Sequence, residues 1–284
     1  MIRIGPAGWA YKDWAGIVYP KTKPRNFHPV EFLAQYFDTI EINSSFYGPP
    51  RPAAARTWAG CVKANPRFRF TAKLYQAFTH KRNAAAQDER DFKDGIAPLV
   101  DAGRFGVLLL QFPWSFRFDQ DNRLYLLDLH KRFQEYPLAL EVRHASWAQP
   151  EVLDLLAELG MALANIDQPL FKRSIKPGME VTASVAYVRL HGRNYRHWFS
   201  AKADVRERYD YLYTLAELEP WVERIQAVSR KAEDTYVASN NHNVGKAVTN
   251  ALEITSLVRG KRVSVPPLLL EHYPRLSQVA GPAD

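Results

Sequence analysis

The chain has a single cysteine, Cys61, in 284 residues, so no disulfide can close within it and no multi-cysteine metal motif can form. It has no apolar run approaching the ~20 residues a membrane helix needs, which argues against a helical span and any membrane partner. The opening MIRIGPAGW enters an apparent strand directly, without the basic and then apolar segments of a secretory leader, and the expected location is the cytoplasm. No low-complexity tract or internal linker suggests a boundary, so one domain is expected over residues 1–284, with 260–284 as a C-terminal extension packing on it. Acidic residues are in deficit: 30 Asp and Glu stand against 38 Lys and Arg, a formal charge of +8. Such a field favours anionic partners. Its basic residues are spread along the chain rather than gathered in a tail, so a small phosphorylated ligand is expected and nucleic acid stays open.

What the sequence does contain is a recurrence of short runs rich in Val, Ile, Leu and Phe. Eight are found, at Ile2–Gly5, Asp38–Asn43, Arg69–Lys73, Gly106–Phe112, Leu138–Arg143, Met161–Asp167, Val185–His191 and Thr235–Asn240. Between them lie helical repeats at Phe32, Leu33, Tyr36 and Phe37, at Leu124, Leu127 and Phe133, and at Val152, Leu156 and Leu159 before Gly160. An amphipathic stretch from Val244 to Val258 follows the eighth run. Strands alternating with helices imply a parallel sheet, and eight of them in a chain near the ~250 residues typical of such folds predict an α/β protein, a TIM-type (β/α)8 barrel. Two connections depart from the ideal. Pro169, Pro177 and Gly178 make Gln168–Ser184 an irregular sixth crossover rather than a helix. The seventh is long, running through Asn194-Tyr195-Arg196-His197-Trp198-Phe199 to a helix near Tyr209–Lys231, and is a lid candidate at the barrel mouth.

Polar residues alternate with apolar ones at the strand ends. Glu41 and Asn43 share a face, as do Glu141 and Arg143, Asn165 and Asp167, and Arg189 and His191. Because the helix-facing side of a barrel strand has to be apolar, all of these sets are expected to point inward, joined by Lys73 and Gln111. Buried charges cost several kcal/mol each unless paired, so the interior must hold a paired network, a wet pocket, or both.

At these same residues the sequence resembles the YecE-like family, the domain-of-unknown-function 72 family, over nearly its whole length. The resemblance rests on GPAGWAYKDWAGIVYP with Gly8, Trp9 and Trp14, EINSSFYGPP from Glu41, LLLQFPWSF, LEVRHASW around Glu141, VRLHGR from Val188, RYDYLYTLAEL from Arg208 and NNHNVGKAVTNA from Asn240. Pro6 replaces the usual Thr, and Ser239 stands where an aromatic commonly precedes the paired Asn. The resemblance implies a (β/α)8 barrel and a pocket drawn from Glu41, Asn43, Tyr47, Lys73, Gln111, Glu141, Arg143, His144, Asp167, Arg189, His191 and Asn241. It implies no reaction.

Three chemistries fit these residues. Glu41 and Glu141, on strands three apart, suit a pair of hydrolytic carboxylates of the glycosidase kind, with Trp9, Trp14, Tyr47 and Trp147 as stacking surfaces for sugars. Glu41, Glu141, Asp167 and His191 also suit a divalent metal, the cofactor considered, in a phosphoesterase whose Lys73, Arg143, Arg189 and Arg193 hold phosphoryl oxygens. Phosphoester hydrolysis is the expectation adopted. The third reading is a non-catalytic module, with aromatics and bases interleaved at Tyr195 to Phe199 to hold an anionic ligand or a nucleic-acid strand. For the carboxylate pair the bland alternative is that each Glu simply pairs with Arg143, Arg189 or Lys73, and for the aromatic stretch it is a packed loop with Trp198 and Phe199 as core or lid anchors. His80 after the third strand is a further acid–base candidate, and Asn241, where the eighth strand meets a helix, a further binding one.

Overall fold

The computed structural model describes residues 1–198 and 205–282. Eight strands are present: β1 (Ile2–Pro6), β2 (Thr39–Ile42), β3 (Arg69–Lys73), β4 (Phe105–Gln111), β5 (Leu138–Glu141), β6 (Ala162–Asp167), β7 (Val185–Leu190) and β8 (Asp234–Ser239). All pair in parallel, in the order β1-β8-β7-β6-β5-β4-β3-β2. The ends of this sheet meet where Ala7 bridges to Glu41 and the Gly8 N–H donates to the Glu41 carbonyl at 2.8 Å, so the sheet curls into the expected barrel. Gly5 makes that closure possible, since a Cβ there would lie 1.9 Å from the Thr39 carbonyl oxygen. Only a residue without a side chain lets β1 approach β2 so closely.

The helices are α1 (Pro29–Leu33), α2 (Pro52–Cys61), α3 (Gln76–Thr79), α4 (Ala86–Asp101), α5 (Gln120–Phe133), α6 (Pro150–Glu158), α7 (Val205–Arg208), α8 (Leu215–Ser229), α9 (Lys246–Arg259) and α10 (Pro267–His272). Residues 168–184 contain no helix, as the prolines there predict. The helix expected from Tyr209 begins instead at Leu215, because Thr214 and Glu217 form a reciprocal capping box that fixes its start. In α5 the buried stripe is Leu126, Leu129 and Phe133, while Leu124 is 57% exposed, a shift of the helix face from the one its leucine spacing suggests. After Gly260, the buried Leu269 and Leu276 join the apolar layer between barrel and helices, and Arg275 bonds Glu253 of α9 at 2.7 Å.

Strand register fixes which side chains share the interior. Glu41 pairs with Thr71, Lys73 with Leu109, Gln111 with Glu141, Ala139 with Ala162, Ile166 with Arg189, and Arg189 with Ala238. Paired residues of a parallel sheet point the same way. The inward set is therefore Glu41, Lys73, Gln111, Glu141, Ile166, Arg189 and Ala238, and β6 contributes only small or apolar groups, Ala162, Ala164 and Ile166. That small face leaves room for the long side chains of β7.

Candidate functional site

Arg189 lies at the centre of the barrel, with its side chain fully buried. Its Nε and Nη2 donate to the two oxygens of Glu41 at 2.9 and 2.7 Å, a bidentate pair. Its Nη1 donates to Gln111 Oε1 at 3.2 Å and to Glu141 Oε2. One guanidinium thus ties β2, β4, β5 and β7 together. Tyr187, one turn of the pleat below, donates to Glu41 Oε2 at 2.9 Å and lies 2.7 Å from Thr71 Oγ1. Glu141 Oε1 is shared between Arg143 Nη2 and His191 Nε2, each at 3.1 Å. The Asn240 amide is 3.1 Å from His191 Nδ1, which places the imidazole proton on Nε2, facing Glu141.

The titration of these groups follows from burial and charge. Burial would raise the Glu141 carboxyl, but Arg189, His191 and Arg143 outweigh it and hold it well below the usual carboxylate range. Burial pushes His191 down to about 3 despite Glu141, so it is a neutral donor. Burial, then Arg189, lowers Lys73 to about 8, against the opposing pull of Glu41. Its Nζ stands 3.8 Å from Glu41 Oε1, too far for a hydrogen bond, and Phe46 offers a ring face 5.7 Å away. Three cations, Lys73, Arg143 and Arg189, therefore meet two carboxylates whose oxygens already accept from the arginines, Tyr187 and His191. The cluster carries one positive charge in excess, and it resides on Lys73.

Above Lys73 opens a cavity of about 710 Å³ at the C-terminal mouth of the barrel. Trp9, Tyr11, Phe46, Tyr47, Trp58 and Tyr209 form its aromatic walls, and Asn43, Lys73, His80, Gln111, Asn240 and His242 supply polar atoms. No Asp or Glu among the described residues lines it. His80 sits at the rim, edge-on to Phe46 at 4.9 Å, its Nδ1 3.0 Å from Thr79 Oγ1. Partial enclosure, then the charges of Arg143 and Lys73, press it down to about 4, so its imidazole is neutral at pH 7. Asn43 donates to Tyr11 Oη at 3.1 Å, while its own Oδ1 has no hydrogen-bond partner among the described residues.

Of the residues singled out in the sequence, Trp9, Asn43, Tyr47, Lys73, His80 and Gln111 line this cavity. Glu41, Glu141, Arg143, Arg189 and His191 form the floor network beneath it. Asp167 is a correction: it pairs in register with Leu190 rather than Arg189, faces outward, and accepts from Arg193 Nε at 2.9 Å and from Tyr213. Asn165 also faces outward, exchanging hydrogen bonds with the Glu180 backbone at 2.9 and 2.8 Å. The assumption that failed is that every outer strand face meets a helix. The sixth crossover is a loop, and its backbone polar groups need partners that Asn165 supplies. Arg193 is likewise engaged outside, and Asn241 donates to the Tyr211 carbonyl and to Asn250, both at 2.8 Å, away from the cavity. The four proposed metal ligands are thus not brought together, and no group of three or more His, Cys, Asp or Glu among the described residues is arranged to hold an ion. Nor do Glu41 and Glu141 flank open space, since the Arg189 guanidinium lies between them.

In the seventh connection, Trp198 is buried over Arg143, whose guanidinium carbon is 5.0 Å from its ring, and beside His191 and Tyr209. Phe199, also part of the lid candidate, lies outside the described residues. Sequence reasoning missed Tyr187, although it shares its strand parity with Arg189 and His191. It also missed the wall residues Tyr11, Phe46, Trp58 and Tyr209; Trp58 comes from α2, where no strand-end pattern could point to it.

These features define a (β/α)8 barrel whose charged interior is closed off beneath an aromatic pocket. The profile described as "Protein of unknown function DUF72" matches residues 3–273, and the chain belongs to that family. A DUF72 family protein of Thermotoga maritima is 33% identical, covers 91% of this chain and 99% of its own, and superposes with a TM-score of 0.78. One from Enterococcus faecalis is 25% identical, with coverages of 91% and 96% and a TM-score of 0.80. A comparison with the curated proteins finds no match.

Proposed function

We propose that the mouth cavity takes a small anionic substrate and that its reaction is hydrolysis of a phosphoester. The observation that carries this reading is the charge of the site: a cavity without a carboxylate, over a cluster left one positive charge in excess at Lys73. An anion entering the cavity completes the pairing that the floor leaves open. Lys73 holds phosphoryl oxygens, the aromatic walls enclose a ring or sugar, and the neutral His80 imidazole takes a proton from the attacking water. The water oxygen bonds to phosphorus as the ester P–O bond breaks, and the departing oxygen takes its proton from the Lys73 ammonium. Glu41 acts as the positioning residue for Lys73, and is itself held by Arg189, which Glu141 anchors from the opposite side. The carboxylate-pair reading of a carbohydrase loses its support, because a guanidinium occupies the place where water would attack.

The test is calorimetric titration with inorganic phosphate, together with turnover of an aryl phosphate. Wild type should bind phosphate, and Lys73→Met should weaken it at least tenfold and abolish turnover. Equal binding by wild type and the variant would overturn the assignment. Phosphate binding without turnover of any phosphoester would remove the hydrolytic half and leave a binding site.

A further inference from the structure

The excess charge of the chain is not evenly distributed over the barrel. The connections that leave the C-terminal strand ends, taken over the described residues 7–28, 43–51, 74–85, 112–119, 142–149, 168–184, 191–198, 205–214 and 240–245, contain sixteen Lys or Arg and five Asp or Glu. Their net charge of +11 exceeds the +8 of the whole chain, so everything else sums to −3. Many of these cations are exposed side chains, among them Lys21, Lys23, Arg51, Lys81, Lys172 and Lys176. A pocket for one small anion needs no such surround.

The second observation is aromatic. Tyr47, at the cavity edge, is 66% exposed, and Tyr195, in the seventh connection, is 53% exposed. Both belong to the mouth connections, and exposed rings of that size are otherwise absent among the described residues. Rings standing in water among cations are the combination that holds single-stranded nucleic acid, in which bases stack and phosphates pair.

We infer that the phosphoester belongs to a single-stranded nucleic acid laid across the mouth, one nucleotide entering the cavity while flanking bases stack on Tyr47 and Tyr195. This rests on the phosphoester reading of the cavity and names its substrate class. A cavity of about 710 Å³ is in the range of pockets that enclose a small molecule the size of a nucleotide.

Fluorescence anisotropy with a labelled twelve-nucleotide DNA or RNA, set beside a mononucleotide and beside dextran sulfate, tests it on the whole chain. The strand should bind far more tightly than the mononucleotide. With about four phosphates paired, raising salt from 50 to 200 mM should weaken it roughly fiftyfold. Tyr47→Ala and Tyr195→Ala should each weaken the strand about tenfold or more and leave dextran sulfate unchanged. Lys172→Glu with Lys176→Glu, neither of which lines the cavity, should weaken both polyanions while phosphate binding stays as in wild type. If phosphate binds in a Lys73-dependent way but the strand binds no better than the mononucleotide, the inference fails and the pocket reading stands. If the strand and dextran sulfate lose affinity equally in the tyrosine variants, stacking is refuted and with it a nucleic acid. If neither phosphate nor the strand binds, both readings fall.

Discussion

Replacing Arg189 by Met measures what the interior network contributes. Arg189 supplies two hydrogen bonds to Glu41, one to Glu141 and one to Gln111, all from a fully buried side chain. Met keeps most of the volume, so the cavity cost is small and the main loss is electrostatic. Glu41 is left with Tyr187 and a Lys73 ammonium 3.8 Å away, and Glu141 with Arg143 and His191. Removing one partner of a buried pair costs about 3–5 kcal/mol, because the other charge remains out of water. At about 2–4 °C per kcal/mol, Tm should fall by roughly 10 °C. Equilibrium urea unfolding followed by tryptophan fluorescence and far-ultraviolet circular dichroism gives the free energy. The discriminating arm is the triple variant Arg189→Met, Glu41→Gln, Glu141→Gln, which removes the stranded charges and should regain half or more of the loss. A single variant within 1 kcal/mol of wild type, or a triple variant less stable than the single, would refute the reasoning.

Three further outcomes are expected. His191 is held neutral down to about pH 3, so between pH 6.5 and 5 the unfolded imidazole binds a proton that the folded one does not, and stability falls with acidification by up to about 1.4 kcal/mol per pH unit; His191→Gln should flatten that slope, and parallel pH curves for variant and wild type would contradict it. Lys73 loses its proton near pH 8, so sulfate, whose own charge is fixed, should dissociate as pH rises through that value, whereas Lys73→Arg should retain binding at pH 9. Gly5→Ala drives a methyl group into the Thr39 carbonyl and should cost more than about 3 kcal/mol or prevent folding, while Gly48→Ala, with nothing within 4 Å, should not change Tm by more than 2 °C in thermal unfolding.

The barrel was legible because strand runs and connections alternate eight times, and the largest strand-boundary disagreement is the two residues at the end of β5. Most of the inward set was legible for a related reason: period-two alternation groups Glu41 with Asn43, Glu141 with Arg143 and Arg189 with His191, each pair opposite the apolar face that its strand turns to the helices. Asp167 escaped that logic. Parity within a strand says which residues share a face and not which face is inside, and β6 is inverted relative to the guess because its outer neighbour is a loop. The division of labour within the site was also hidden. Whether a carboxylate lines a cavity or lies neutralised beneath it depends on how far an arginine reaches from an opposite strand, a distance set by register across the barrel. No local pattern carries that information.

Glu41 holds the middle of the molecule twice over. Its side chain anchors the central guanidinium, and its backbone carbonyl receives the Gly8 amide where the first strand meets the second. Cavity occupancy and ring closure consequently share a residue. An anion that draws the Lys73 ammonium upward alters the electrostatic load on Glu41, and the peptide that feels the change belongs to the seam through which the N-terminal strand is fastened to the ring. The seam is thereby placed to register whether the pocket above it is full.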